Sequence, residues 1–176
     1  MRETPFEVKG PILGPNSIFM VLIEKNGPRL CHMGIDPFVA HVLAFLSGDQ
    51  EKPARPLTHQ LILNTLERVG FNLEKIVVSE LIDDVYRAIL YLKNDKNITL
   101  EIDARPSDAI CLALIKKCPM LVKDEFLQIN DQVTQILNQV YRTVTKEVLP
   151  IDKNSLTDQQ ALDILRNFNP DKSPKH

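Results

Sequence analysis

Two short stretches hold the residues best suited to chemistry. In the first, Ala54-Arg55-Pro56 is followed by Thr58 and His59; in the second, Ala104-Arg105-Pro106 is preceded by Asp103 and followed by Ser107 and Asp108. Each stands where a helix is about to begin. Each therefore sets a guanidinium beside the unpaired N–H groups and positive dipole end that a helix start offers to anions. Arginine adds a planar fork that matches phosphate, and Thr58 and Ser107 add hydroxyl donors, so Arg55, Arg105, Thr58 and Ser107 are the candidate substrate-binding residues. Asp103 and Asp108 are hard oxygen ligands of the kind that hold Mg²⁺ or Mn²⁺. With an arginine on the scissile phosphate, such a pair is the equipment of metal-assisted phosphodiester hydrolysis. His59 lies in the first turn of its helix, where the dipole disfavours its cationic form and leaves a neutral imidazole able to take a proton or bind metal. A third ligand is His59 or Glu101, the latter sharing a strand face with Asp103 if the strand stays regular.

The same residues also have a purely structural use. Ser107 or Asp108 can cap a helix, Asp103 and Arg105 can pair across a strand–helix corner, and a first-turn histidine is ordinarily exposed to solvent. His32, His41 and His176 lack metal-ligand spacing and read as packed or solvated side chains. Cys31, Cys111 and Cys118 are an odd set without CxxC spacing, which fits reduced, packed thiols rather than disulfides or a zinc knuckle. The chain contains no GxGxxG, P-loop, HExxH, GxSxG or EF-hand signature, so the common nucleotide-binding and metalloprotease mechanisms find no support.

The elements that must position these residues follow from pattern. Ser17–Lys25 and Arg29–Ile35 are apolar, β-rich runs joined at Asn26-Gly27, a hairpin signal. Asp36-Pro37 opens a first helix, with Asp36 as N-cap and Pro37 at its first position. Thr58 is the expected N-cap of a second helix that Gly70 stops. Three strand-like runs follow, around Leu73–Leu81, Val85–Leu92 and Ile98–Asp103, with turn signals between them that predict an antiparallel meander. The third helix, from about Asp108 to Lys117, is apolar nearly all round and belongs inside the molecule. Pro119 introduces a short strand at Met120–Lys123. Beyond Phe126, Val133, Ile136, Leu137, Val140 and Val144 mark one face of an amphipathic helix. Thr157 and Gln160 form a capping box for a last one, striped by Ala161, Ile164, Leu165 and Phe168.

The expected fold class is therefore α+β: a mixed, largely antiparallel sheet with packed helices and a C-terminal amphipathic helical pair. The domain is expected over 1–128, with the helical extension over 129–176. The 176 residues carry 44% hydrophobic and 25% charged side chains, ordinary globular usage, which argues against disorder and coiled coil. A formal net charge of −2 excludes a strongly basic nucleic-acid coat, so a polyanion would have to be met by a local patch. Uninterrupted apolar runs such as Ile18–Ile23 are too short to span a membrane, and MRETPFEVKG has no signal-peptide apolar region; the expected location is the cytoplasm.

From about Ile18 to Leu127 the chain resembles the bifunctional nuclease domain family, through RPLTH at Arg55–His59 and above all through EIDARPSDAI at Glu101–Ile110. The resemblance implies an α+β domain, commonly self-associating, in a family named for a member reported to cleave both RNA and DNA. It maps onto Arg55, Pro56, Thr58 and His59 and onto Asp103, Arg105, Pro106, Ser107 and Asp108. One departure is visible: relatives typically have an acidic residue after the Pro-aromatic pair of the first helix, whereas Val39 follows Pro37-Phe38 here. If that acid binds metal, the departure implies a weakened or inactive enzyme.

The expectation is thus a divalent-metal-dependent nuclease acting on RNA or DNA, with Asp103 and Asp108 on the metal, Arg55 and Arg105 on phosphate and His59 as base or ligand. A homo-oligomer is expected. The competing expectation is a non-enzymatic anion-binding or regulatory oligomerisation module of the same fold, which the modest charge and the absence of tryptophan favour.

Overall fold

A computed structural model describes residues 2–13, 17–27, 29–47, 54–83 and 85–127. The expected C-terminal helical pair and the extension over 129–176 lie outside these residues. The elements run β1 (Glu3–Leu13), β2 (Ile18–Glu24), β3 (Leu30–Ile35), α1 (Pro37–Ser47), α2 (Thr58–Arg68), β4 (Phe71–Ile82), β5 (Val85–Asn94), β6 (Thr99–Ala104), α3 (Pro106–Lys116) and β7 (Met120–Lys123), ending in a 3₁₀ turn at Asp124–Phe126. Seven strands form one sheet in the order β3-β2-β1-β7-β4-β5-β6. Its only parallel pair among these strands is β4 with β7, so the α+β class and the mixed, largely antiparallel sheet are as expected. Among the described residues no helix is long and apolar enough to cross a membrane.

Strand β1 is the element that sequence pattern passes over. Pro5, Gly10 and Pro11 interrupt its alternation, and the register on β2 shifts between Lys9 and Ile12, where Gly10 takes a φ of +138°. Tertiary contacts supply what local pattern lacks: Phe6 is fully buried, and β1 bridges β2 to β7.

Helix α3 is apolar all round for a topological reason. It leaves edge strand β6 and returns the chain to β7 on the far side of β5 and β4, so it must lie across those strands, with α1 and α2 against it. Ala109, Ile110, Cys111, Leu112 and Ala113 are buried accordingly, in one core with Phe6, Leu22, Val39, Leu43, Ile76, Val78 and Leu90. Val39, at the position noted above, belongs to this core.

Helices α2 and α3 are parallel neighbours. His59 meets Asp108 at their first turns, and Glu67 meets Lys116 at their last. Because α1 also packs on α3, three helix starts come together at one end of the sheet. At the opposite end of α2, Gly70 (φ +85°) carries the chain directly into β4, the stop that sequence predicts.

Candidate functional site

The three helix starts are built differently. Asp36 caps α1 as expected: its Oδ1 accepts the Val39 N–H at 3.0 Å. Thr58 does not cap α2. The cap position is the extended Leu57, without a side-chain bond, and Thr58 is the first helical residue. His59, the second helical residue, is turned inward, to 4% exposure, where a solvent-facing residue was expected. Likewise α3 begins about two residues early: Arg105 occupies the cap in extended conformation, Pro106 takes the first helical position, and neither Ser107 nor Asp108 caps.

Asp108 is thereby freed to look sideways. Its Oδ1 lies 3.2 Å from His59 Nε2, and its Oδ2 accepts Arg105 Nε at 2.8 Å. Arg105 in turn places Nη1 at 3.6 Å from Asp36 Oδ2. A continuous polar chain, His59–Asp108–Arg105–Asp36, thus links the first turns of all three helices. Burial raises the Asp108 carboxyl's proton affinity, but the hydrogen bonds from Arg105 and His59 outweigh it and hold the group below the ordinary aspartate value. Asp108 is a carboxylate at neutral pH, so His59 Nε2 carries the proton between them. The other ring nitrogen, Nδ1, is buried and has no hydrogen-bond partner among the described residues.

Exposure divides the chain into a hidden end and an open end. The His59 side chain is 5% exposed, Asp108 31%, Asp36 44% and Arg105 65%. His59 therefore braces Asp108 from behind, while Arg105 is the most exposed member of the chain and the two carboxylates are partly exposed. Asp36 is the member that sequence reasoning missed. Its Asp-Pro setting signals a cap, and nothing local signals its reach to Arg105.

The expected pairing of Asp103 with Asp108 does not occur. Strand β6 is regular, with Ala104 opposite Ala88, Ile102 opposite Leu90 and Leu100 opposite Leu92, on the side of the sheet where Ala88, Leu90 and Leu92 of β5 are buried in the core. Asp103 sits opposite Ile89 and Glu101 opposite Tyr91, on the reverse face. Glu101 and Asp103 do share a face, as alternation predicts, but it is the one turned away from Asp108. Arg55 is exposed on the approach to α2 and makes no ion pair among the described residues. Ser107 is half-buried and Thr58 exposed. No three His, Cys, Asp or Glu side chains converge as a metal site among the described residues. By strand alternation Asp103 and Asp108 do not share a face, which stands against one Mg²⁺ or Mn²⁺ ion between them.

The remaining singled-out residues are structural. His32 stacks edge-on against Phe19, His41 is exposed, and Cys31 and Cys111 are buried in the core.

The model of the bifunctional nuclease domain matches residues 20–135. An uncharacterized protein of Mycobacterium tuberculosis (strain ATCC 25618 / H37Rv) is 32% identical over 112 residues, 64% of this chain and 65% of that protein. Bifunctional nuclease 2 of Arabidopsis thaliana is 32% identical over 123 residues, 69% of this chain and 37% of that protein. Bifunctional nuclease 1 of Oryza sativa subsp. indica is 26% identical over 122 residues, covering 68% and 33% respectively. The chain thus spans less than two thirds of the length of these relatives. The matched span takes in the polar chain from Asp36 to Asp108 in full, and by that match this protein belongs to the bifunctional nuclease domain family.

Proposed function

We propose that this protein is a nuclease that hydrolyses phosphodiester bonds in RNA or single-stranded DNA at the corner where α1, α2 and α3 begin. The observation that carries the reading is the exposed Arg105 guanidinium held against Asp108, itself fixed by the buried His59. Arg105 offers a fork to the non-bridging oxygens of a phosphate. Asp108, ionised at neutral pH, accepts a hydrogen bond from the attacking water and orients it. His59 acts through Asp108, presenting its Nε2–H to Oδ1 while Arg105 Nε holds Oδ2, so that the carboxylate is fixed and a water meets it at a remaining lone pair. The names of the plant relatives support the activity, and Arg55 and Thr58, on the same approach to α2, extend the surface a strand would meet.

Divalent-ion dependence belongs to the proposal as a condition to be measured; no step is assigned to Mg²⁺ or Mn²⁺. The experiment is degradation of RNA and single-stranded DNA by the full chain with either ion or with EDTA, comparing wild type, Asp108→Asn and Arg105→Gln. Loss in both variants supports the site, and equal activity in all three places it elsewhere.

A second reading has its own observation. Both Asp108 oxygens already have internal partners, which suits a braced corner that binds an anion without turning it over. Binding of an oligonucleotide without cleavage under every ion condition would favour it. Self-association is proposed from the exposed Leu100 and Ile102 on edge strand β6, Ile62 on α2 and Val69 just after it, and sedimentation measures it.

A further inference from the structure

Resting on the reading that Arg105 holds phosphate, we propose that Asp36 is a positioning residue that competes with a nucleic-acid phosphate for the Arg105 fork and so sets how tightly the corner holds a strand. The geometry divides the guanidinium between two acids. Asp108 takes Nε at 2.8 Å, the contact within one helix turn. That leaves the outer edge, Nη1 and Nη2, as the edge a phosphate can grip with two N–H groups. Asp36 stands on that edge, with Oδ2 at 3.6 Å from Nη1. Its contact is the longer of the two, and Asp36 is the more exposed acid, so it is the one that yields when a ligand arrives.

Charge points the same way. The two carboxylates, Asp36 and Asp108, outnumber the one guanidinium between them, an excess of negative charge that opposes a polyanion. Removing the Asp36 charge cancels that opposition and frees Nη1 together. Asp36 has a second task, the α1 cap, but the two tasks use different oxygens: Oδ1 caps Val39 and Oδ2 faces Arg105. Asn keeps the capping oxygen and removes the charge. Asp36→Asn therefore separates the electrostatic role from the structural one.

The test uses the full chain and a phosphorothioate-linked oligothymidylate that resists cleavage, with binding followed by fluorescence anisotropy at low salt. Asp36→Asn is expected to bind about fivefold tighter than wild type, the scale of one unit charge a few ångströms from a partly hydrated phosphate. Its melting temperature is expected to match wild type, and adding Arg105→Gln is expected to abolish the gain. If wild-type binding depends on Arg105 while Asp36→Asn binds no tighter, the role of Asp36 is overturned and the phosphate-holding role of Arg105 stands. If Arg105→Gln leaves wild-type binding unchanged, or neither wild type nor Asp36→Asn binds, the phosphate-holding reading falls and the role of Asp36 falls with it.

Discussion

His59 Nε2 and Asp108 Oδ1 lie 3.2 Å apart although 49 positions separate them, and the same separation in sequence joins Glu67 to Lys116 one helix length further on. Two contacts of equal spacing fix α2 and α3 as parallel, in register and side by side. The corner that holds Arg105 is thus set by helix packing rather than by loops. A site on such a frame keeps its geometry when the surrounding loops change.

Packing of α3 is the first quantity to test. Ile110 is fully buried at the centre of the core, so Ile110→Ala removes apolar contacts and leaves a cavity. The expected cost is about 2–5 kcal/mol in urea unfolding. A cost below about 1 kcal/mol would place α3 away from the core.

Two backbone positions make opposite predictions. Gly70 turns α2 into β4 with a φ of +85° and open space around it, so Gly70→Ala strains the backbone without a clash and should cost about 1 kcal/mol. Lys117 ends α3 at φ +59°, a left-handed cap that glycine fills better. Lys117→Gly is expected to stabilise by about 0.5–1 kcal/mol. Thermal unfolding of the two variants checks both signs.

Much of this was legible in the sequence because it is local. Asn26-Gly27 marks the β2–β3 hairpin, Asp36-Pro37 the start of α1, Gly70 the end of α2, and the alternation in β4–β6 the meander. What escaped is set at a distance. Strand β1 is held by β2 and β7 against its own Pro and Gly residues. The helix starts at Thr58 and Pro106 carry no capping side chain, and the burial of His59 beside Asp108 is a tertiary contact with no local signal. Of the candidate site, Arg105, Asp108 and His59 do meet, whereas Asp103 is turned away by strand alternation, a rule that sequence contains but that needs the covered face to be known.

Acid sensitivity should report on a second polar cluster. Arg29 holds Glu24 through two hydrogen bonds and reaches Asp124, which also accepts the Thr4 hydroxyl, tying the β2–β3 hairpin to the end of β7. The Arg29 hydrogen bond lowers Glu24 despite its burial, and the Thr4 and Arg29 hydrogen bonds lower Asp124. Groups lowered in the folded state stabilise it above the ordinary carboxylate range near pH 4, and that contribution is lost as pH falls through their folded values. Urea midpoints should decline below about pH 4. The decline should be shallower in Arg29→Gln; an identical slope would contradict the linkage.

Thiol reactivity follows burial. Burial raises all three thiols, and Cys111 is pushed up to about 12, with the Asp108 charge adding to the effect. Cys118 is the most accessible of the three. A disulfide reagent at neutral pH is expected to label Cys118 first and to reach Cys31 and Cys111 only in denaturant. Early labelling of Cys111 would mean that α3 opens readily.

The most direct measurement sets Asp108→Asn beside Asp103→Asn in one cleavage assay on RNA and single-stranded DNA, with the folded state of each variant verified. The two acids lie at either side of Arg105 in sequence but on opposite faces of the sheet in space. Cleavage is expected to fall about a hundredfold or more in Asp108→Asn, the scale of losing an oriented acid–base group, and to stay near wild type in Asp103→Asn. Loss confined to Asp103→Asn, or equal loss in both, would contradict a site at the meeting of the three helix starts.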